Sequence, residues 1–364
     1  METESTISDV RKKHLYFREL ILILIALFIV GGVISAFVII SQRELRIAFM
    51  SDRDGNDEIF IMGSDGSEVD NITNNEALDG FPGWSAKKRA IAFLSTREST
   101  LASIFMMDSL GKGLKSLATD MSIIATSPQW SPDGEWIAFD SELEGQTDIF
   151  LIDVKTGELR NLTEHPSSDR FYDWSPDSTK ILMVSNREDE AGLTPCLYIL
   201  DIAESSDPIQ LTNTDSVNVL ASWSPDGERI AFTSDRDGNA EIYVMDSTGG
   251  NVTRLTDNEQ FDGFPIWSPD GSNIAYISLD GLGEEQNPEI FAMNSDGSDQ
   301  RNLTNDPAQD GYNWEFSWSP DGSQILYTTD RDGNLEIYIM DADGGNQTNL
   351  TNNPANDHSP IWIN

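Results

Sequence analysis

Apolar residues in this chain alternate with polar ones over runs of five or six, and these runs are separated by clusters of Asp, Gly, Asn, Ser and Pro. The stretch from Trp223 to Thr256 displays the unit. Trp223-Ser224 closes one strand, and Pro225-Asp226-Gly227 makes a tight turn, with proline presetting φ and glycine accepting positive φ. Arg229 to Ser234 has strand alternation. Asp235-Arg236-Asp237-Gly238-Asn239 is a second turn, and Glu241 to Met245 a third strand. A Gly-rich turn at Ser247 to Asn251 leads to a last strand at Thr253 to Thr256. A lone sheet of this kind cannot bury both faces, so it must stack on copies of itself.

The copies are present. The anchor tryptophan recurs at Trp84, Trp130, Trp174, Trp223, Trp267, Trp318 and Trp362. A period of about 45 residues with four strands per unit predicts the blades of a β-propeller, not a helical array. The second strand also recurs, from Ile47-Ala48-Phe49 to Ile325-Leu326-Tyr327. Its first copy has no Trp strand before it, and the last Trp strand has no second strand after it. Pairing Ile361-Trp362-Ile363 with Ile47-Ala48-Phe49 removes two open sheet edges and closes a ring of seven blades. The fold class expected is therefore all-β, a seven-bladed propeller of four-stranded blades.

WSPDG, IAFTSDRDGN, EIYVMD and the run from Leu350 to Pro360 resemble the WD40-like (PD40) repeat of TolB propellers over about residues 45–364. The resemblance implies a cell-envelope propeller that docks onto other proteins. TolB proteins carry an α/β domain before six blades. Here a polar segment (1–20), an uncharged apolar run (21–40) and a short linker precede the repeats, which gives the expected domains 1–20, 21–40 and 45–364.

Ile21 to Ile40 is long enough to span a hydrocarbon core as a helix, since 20 residues at about 1.5 Å each reach about 30 Å. The run exceeds the apolar region of a cleaved signal peptide, and no A-x-A-like site follows it. Arg11, Lys12, Lys13 and Arg18 place the amino terminus in the cytoplasm. The expectation is a single-pass plasma-membrane protein with an extracytoplasmic propeller close to the membrane.

Charge narrows the partners. The chain has 23 basic and 62 acidic residues, a formal net charge of −39. Such a field repels nucleic acid and anionic headgroups and favours cations or basic partners. Much of the acid is turn chemistry, because Asp-Gly pairs recur in nearly every blade. One cysteine, Cys196, excludes an intrachain disulfide.

Four kinds of chemistry bear on these residues. Hydrolysis lacks a constellation: His14, His165 and His358 are the only histidines, and no Gly-x-Ser-x-Gly elbow occurs, so no catalytic residue is assigned. Calcium has weak candidates in the turn pairs Asp52/Asp54, Asp235/Asp237 and Asp330/Asp332, whose hard oxygens suit the ion. The alternative is a hairpin turn in which the first Asp bonds backbone amides and the Arg pairs with a neighbouring carboxylate. Six sequons, among them Asn71-Ile72-Thr73 and Asn349-Leu350-Thr351, mostly fall on the Asn-Leu-Thr end of the repeat.

The fourth is a binding face, where the second-to-third-strand turns and the inter-blade connections open together. Asp79, Asp169, Asp262 and Asp357 each stand five before a Trp, and Asp310 takes a similar place. Phe81, Tyr172, Phe264, Tyr312, Trp314 and His358 lie beside them. Carboxylates with interleaved rings suit a basic peptide, or a sugar by stacking. The expected function is a non-enzymatic protein- or peptide-binding scaffold. The alternative is a glycan or small-molecule sensor, or an enzyme, with its site in the propeller funnel and possible calcium dependence.

Overall fold

A computed structural model describes residues 45–99, 101–118, 127–143, 145–187, 194–203, 207–213, 215–280, 287–311 and 315–364. Residues Arg46–Ile363 form one compact unit. The expected membrane helix at 21–40 lies outside the described residues.

The unit is a seven-bladed β-propeller. Seven sheets each hold four antiparallel strands, called A to D here in the order they follow one another within a blade. Blade five is the reference: A is Asn218–Trp223, B Arg229–Ser234, C Glu241–Asp246 and D Thr253–Arg254. The A strands of successive blades touch one another, as Asp357–Ile363 does Asp79–Ser85, so the A strands surround the axis. The short D strands, of two to four residues, form the rim.

The B and C strands carry the core. Ile47, Ala48 and Phe49 in blade one and Ile230, Ala231 and Phe232 in blade five are fully buried, because each sheet is covered on both faces by its neighbours. The anchor tryptophan serves the seam between blades. The Trp130 indole donates to the Gly83 carbonyl of the preceding blade at 3.0 Å, and Trp174 donates to Gln129 at 3.1 Å.

Ring closure takes the expected form with a one-residue difference. Blade one uses Asp357–Ile363 as strand A and Arg46–Ser51 as strand B. Ile363, Trp362 and Ile361 lie opposite Arg46, Ile47 and Ala48, not opposite Ile47, Ala48 and Phe49. Phe49 instead sits at a bulge between Ala48 and Met50. The bulge recurs in the A strands: Phe81, Leu220, Phe264 and Ser359 all have φ between 52° and 57°. Pro82, Pro265 and Pro360 follow three of these, where a residue without an N–H is tolerated.

Candidate functional site

Because A and C run one way and B and D the other, the propeller has two loop faces. The B–C turns and D–A connections open on one, the A–B and C–D turns on the other. The predicted binding residues belong to the first, but the carboxylates lie inside strands: Asp79, Asp169 and Asp357 begin their A strands, and Asp262 is the second residue of its own. Asp310 makes the equivalent bridge, opposite Thr329.

All five carboxylates are buried, at 0 % exposure. Four take an arginine from the B–C turn of the same blade: Asp357 with Arg53 (2.8 Å), Asp79 with Arg97 (2.7 Å), Asp169 with Arg187 (2.7 Å) and Asp310 with Arg331 (2.6 Å). Blade five substitutes Asn218, whose Oδ1 accepts from Arg236 at 2.8 Å. Asp262 accepts from Asn258 at 2.7 Å. Burial pushes the Asp262 and Asp310 carboxyls above their ordinary range.

Arg53, Arg97, Arg236 and Arg331 each lie over a ring of strand B and a ring of strand C, and Arg187 lies over Tyr198 of strand C. The Arg53 guanidinium is 5.4 Å from the Phe49 centroid and 4.8 Å from that of Phe60, and Arg236 repeats this over Phe232 and Tyr243. The phrases IAFTSDRDG and EIYVM thus encode an aromatic pair capped by a cation, which binds Asn218 in this blade and a carboxylate in blades one, two and seven.

The network continues into the previous blade. Asn75 donates its side-chain amide to Asp79, while its own N–H reaches Glu58 at 2.7 Å. Asn258 and Asn353 repeat both contacts, with Glu241 and Glu336. At the seams from blade one to two and from blade seven to one, a buried glutamate, an asparagine, an aspartate and an arginine form a latch that joins neighbours, and the seam from blade five to six keeps the first three.

The turn aspartates proposed for calcium have protein donors. Asp52, Asp235 and Asp330 each accept a backbone N–H of the adjoining D–A connection, from Asn356, Val217 and Gln309, at 2.8–3.0 Å. Asp54 accepts from Asn71, and Asp237 and Asp332 accept from the hydroxyls of Tyr243 and Tyr338. Among the described residues, no three His, Cys, Asp or Glu side chains converge as metal ligands would.

The described rings belong to different blades. Phe81 and Phe264 occupy the bulges of blades two and six, half-buried. Burial pushes the Tyr172 hydroxyl up to about 12. His358 is half-buried, with Nδ1 3.1 Å from the Ser359 hydroxyl. Tyr312 and Trp314 lie outside the described residues.

Sequence reasoning passed over Asp140, Asp173 and Glu315. Asp140 stands where the other copies have Met50, Leu94, Val184, Thr233, Ile277 and Thr328, and that departure was the available signal. It accepts the Phe171 N–H of blade four at 3.0 Å, and burial pushes its carboxyl up to about 7. Asp173 accepts the Trp174 and Trp223 N–H groups at 2.8 Å, and burial pushes it likewise to about 7. Glu315 holds the Ser359 N–H and hydroxyl, both at 2.7 Å, across the seam between blades seven and one.

A carboxyl raised in the folded state costs stability as pH climbs from the unfolded value toward the folded one, because the native form must then give up a proton it holds more tightly. Asp140→Asn retains an acceptor for Phe171. It is expected to leave stability unchanged below pH 4 and raise it by about 2 kcal/mol at pH 8, roughly half the full linkage value. Urea unfolding at both pH values checks this, and equal effects at both would refute it.

Comparison with known proteins fits this geometry. The family model described as the TolB beta propeller domain matches residues 82–193, 173–306 and 265–364. The chain belongs to the TolB β-propeller family. A TolB homologue of Chlorobium luteolum is 30% identical over 273 residues, covering 75% of this chain and 59% of that protein. An uncharacterised peptidase of Bacillus subtilis is 27% identical over 166 residues, covering 35% of this chain and 25% of the peptidase. The chain thus matches well under two thirds of the length of either relative.

Among solved structures, TolB from Acinetobacter baumannii superimposes with TM-score 0.53 at 21% identity, over 87% of this chain and 66% of that one. Oligogalacturonate lyase from Vibrio parahaemolyticus gives 0.66 at 15%, over 81% and 85%. At these identities the structures share the propeller fold and nothing more specific.

Proposed function

We propose that this chain is a membrane-tethered, extracytoplasmic TolB-type propeller that acts as a non-enzymatic binding module. Its partner is a protein or peptide, and it docks on the face of the B–C turns and D–A connections. The observation that carries this reading is where the repeats differ in length. Five A–B turns have one spacing: Trp130 to Trp136, Trp174 to Lys180, Trp223 to Arg229, Trp267 to Asn273 and Trp318 to Gln324. The other face varies. The B–C connection of blade four runs from Ser185 to Cys196, against Ser234 to Glu241 in blade five. In blade six the B–C hairpin joins the paired residues Ser278 and Glu289, against Ser234 and Glu241 in blade five. A scaffold keeps the loops it needs for folding constant and varies those that meet partners.

That face also has a charge suited to a basic partner. Its arginines at 53, 97, 187 and 331 are engaged with buried aspartates, while Glu76, Glu164 and Glu259 of the D–A connections are exposed. The tether is the apolar run Ile21 to Ile40, with the basic tail in the cytoplasm.

Affinity capture from a cell-envelope extract with the full-length protein, with and without a calcium chelator, tests the reading. Exposed Leu78 and Leu101 sit on this face, at 53% and 46%. The expected result is one protein recovered in both conditions and lost at least tenfold in Leu78→Glu/Leu101→Glu, with an unchanged melting temperature. Recovery only with calcium would return the turn aspartates to metal binding. Recovery of nothing would favour a glycan or small-molecule ligand.

A further inference from the structure

The opposite face has a different composition. All six lysines of the described residues, Lys87, Lys88, Lys112, Lys115, Lys155 and Lys180, lie in or beside its A–B and C–D turns, within blades two to four. Of the eight exposed large apolar side chains among the described residues, six lie at the C–D ends: Val69, Leu110, Leu114, Leu159, Ile209 and Val252.

The two sets meet in blade two. There the A–B turn reads Ser-Ala-Lys-Lys-Arg where blades three, five, six and seven have Ser-Pro-Asp-Gly, and Lys87, Lys88 and Arg89 are exposed. The adjoining C–D turn exposes Leu110 at 58% and Leu114 at 47%, flanked by Lys112 and Lys115. The one carboxylate of that turn, Asp108, is bonded to the N–H groups of Leu110 and Lys112. Lys88 reaches Glu135 of blade three at 2.7 Å, so most of the cluster's charge remains open.

Chain connectivity adds an independent observation. Strand B of blade one begins at Arg46, and a B strand begins on the A–B face. Residues 41–45 alone separate it from the apolar run 21–40. At about 3.5 Å per residue, five residues reach less than 20 Å, so a tether within 21–40 would join the propeller at this face.

We propose that the blade-two corner of the A–B/C–D face docks on an anionic phospholipid surface. Leu110 and Leu114 enter the headgroup boundary, and Lys87, Lys88, Arg89, Lys112 and Lys115 meet lipid phosphates. The proposal rests on the membrane-tethered reading and adds an orientation to it: the variable, acidic face points away from the bilayer. The net charge of −39 opposes a flat approach. Blades five to seven carry Asp226, Asp270 and Asp321 on this same face, which holds them off. A Debye length of about 8 Å lets the local cluster act against the global charge.

The test uses full-length protein in nanodiscs of phosphatidylcholine alone or with 30 mol% (~) phosphatidylglycerol. A fluorophore is placed on a cysteine at Leu114 or Leu101, the native Cys196 being buried. Quenching by spin-labelled lipid is expected to be at least threefold stronger at 114 than at 101. It should rise with phosphatidylglycerol and fall to the level of 101 in Lys87→Glu/Lys88→Glu/Arg89→Glu. Equal quenching at the two sites, with the protein still held in the disc, overturns the docking proposal and leaves the tether intact. Protein that elutes free of lipid overturns the tether and the docking together.

Discussion

Arg53→Ala is expected to destabilise the propeller by about 3–5 kcal/mol, the cost of leaving a buried carboxylate without its cation. Its partner Asp357 is fully buried, and the 2.8 Å bond between them joins residues from opposite ends of the chain. The substitution also uncovers the rings of Phe49 and Phe60. Arg53→Lys should recover only part of the loss, since a lysine lacks the planar fork that stacks on the rings while it reaches the carboxylate. Asp357→Asn should be milder, about 1 kcal/mol, because blade five already operates with Asn218 in this place. Equilibrium urea unfolding with a double-mutant cycle measures the terms. A loss below about 0.5 kcal/mol for Arg53→Ala, the level of an exposed ion pair, would contradict a structural latch.

Removal of residues 357–364 is expected to abolish cooperative unfolding altogether. Blade one would keep three strands and expose the edge of Arg46–Ser51, where Ile47 and Ala48 are fully buried at present. Trp362 and Ile363, at 8% and 2% exposure, would leave their neighbours unpacked. A core tryptophan alone is worth about 3–5 kcal/mol, against about 5–15 kcal/mol for a whole domain. An open strand edge also invites aggregation. A synthetic peptide of residues 353–364 should restore a single thermal transition in trans. A truncated chain that melts with the parent's sharpness would show that the ring does not depend on closure.

Much of the fold was legible because a propeller writes its architecture as a period. The recurring tryptophans counted the blades, and the two half-repeats at the ends of the repeat region identified the closing blade. The bulge after the first A-strand residues was not read, although Pro82, Pro265 and Pro360 mark it, and its omission accounts for the one-residue offset at Phe49. The aspartates at 79, 169, 262, 310 and 357 were located by spacing, but spacing does not reveal burial. Their role in holding blades together emerged only when the arginines of the B–C turns were seen to fold back over the rings. Asp140 and Asp173 were hidden by their type: in so acidic a chain an extra aspartate draws no notice, and only comparison with the uncharged residues at the same place in other copies singles out Asp140.

The account's central claim is that one loop face receives a partner while the other faces the membrane. Site-specific photo-crosslinking in intact cells tests it most directly, with the photoreactive residue at Leu78 or Leu101 on one face and at Leu110 or Leu114 on the other. The account predicts a discrete protein adduct from Leu78 or Leu101, and lipid adducts alone from Leu110 and Leu114. Protein adducts from Leu110 and Leu114 with none from Leu78 and Leu101 would contradict it.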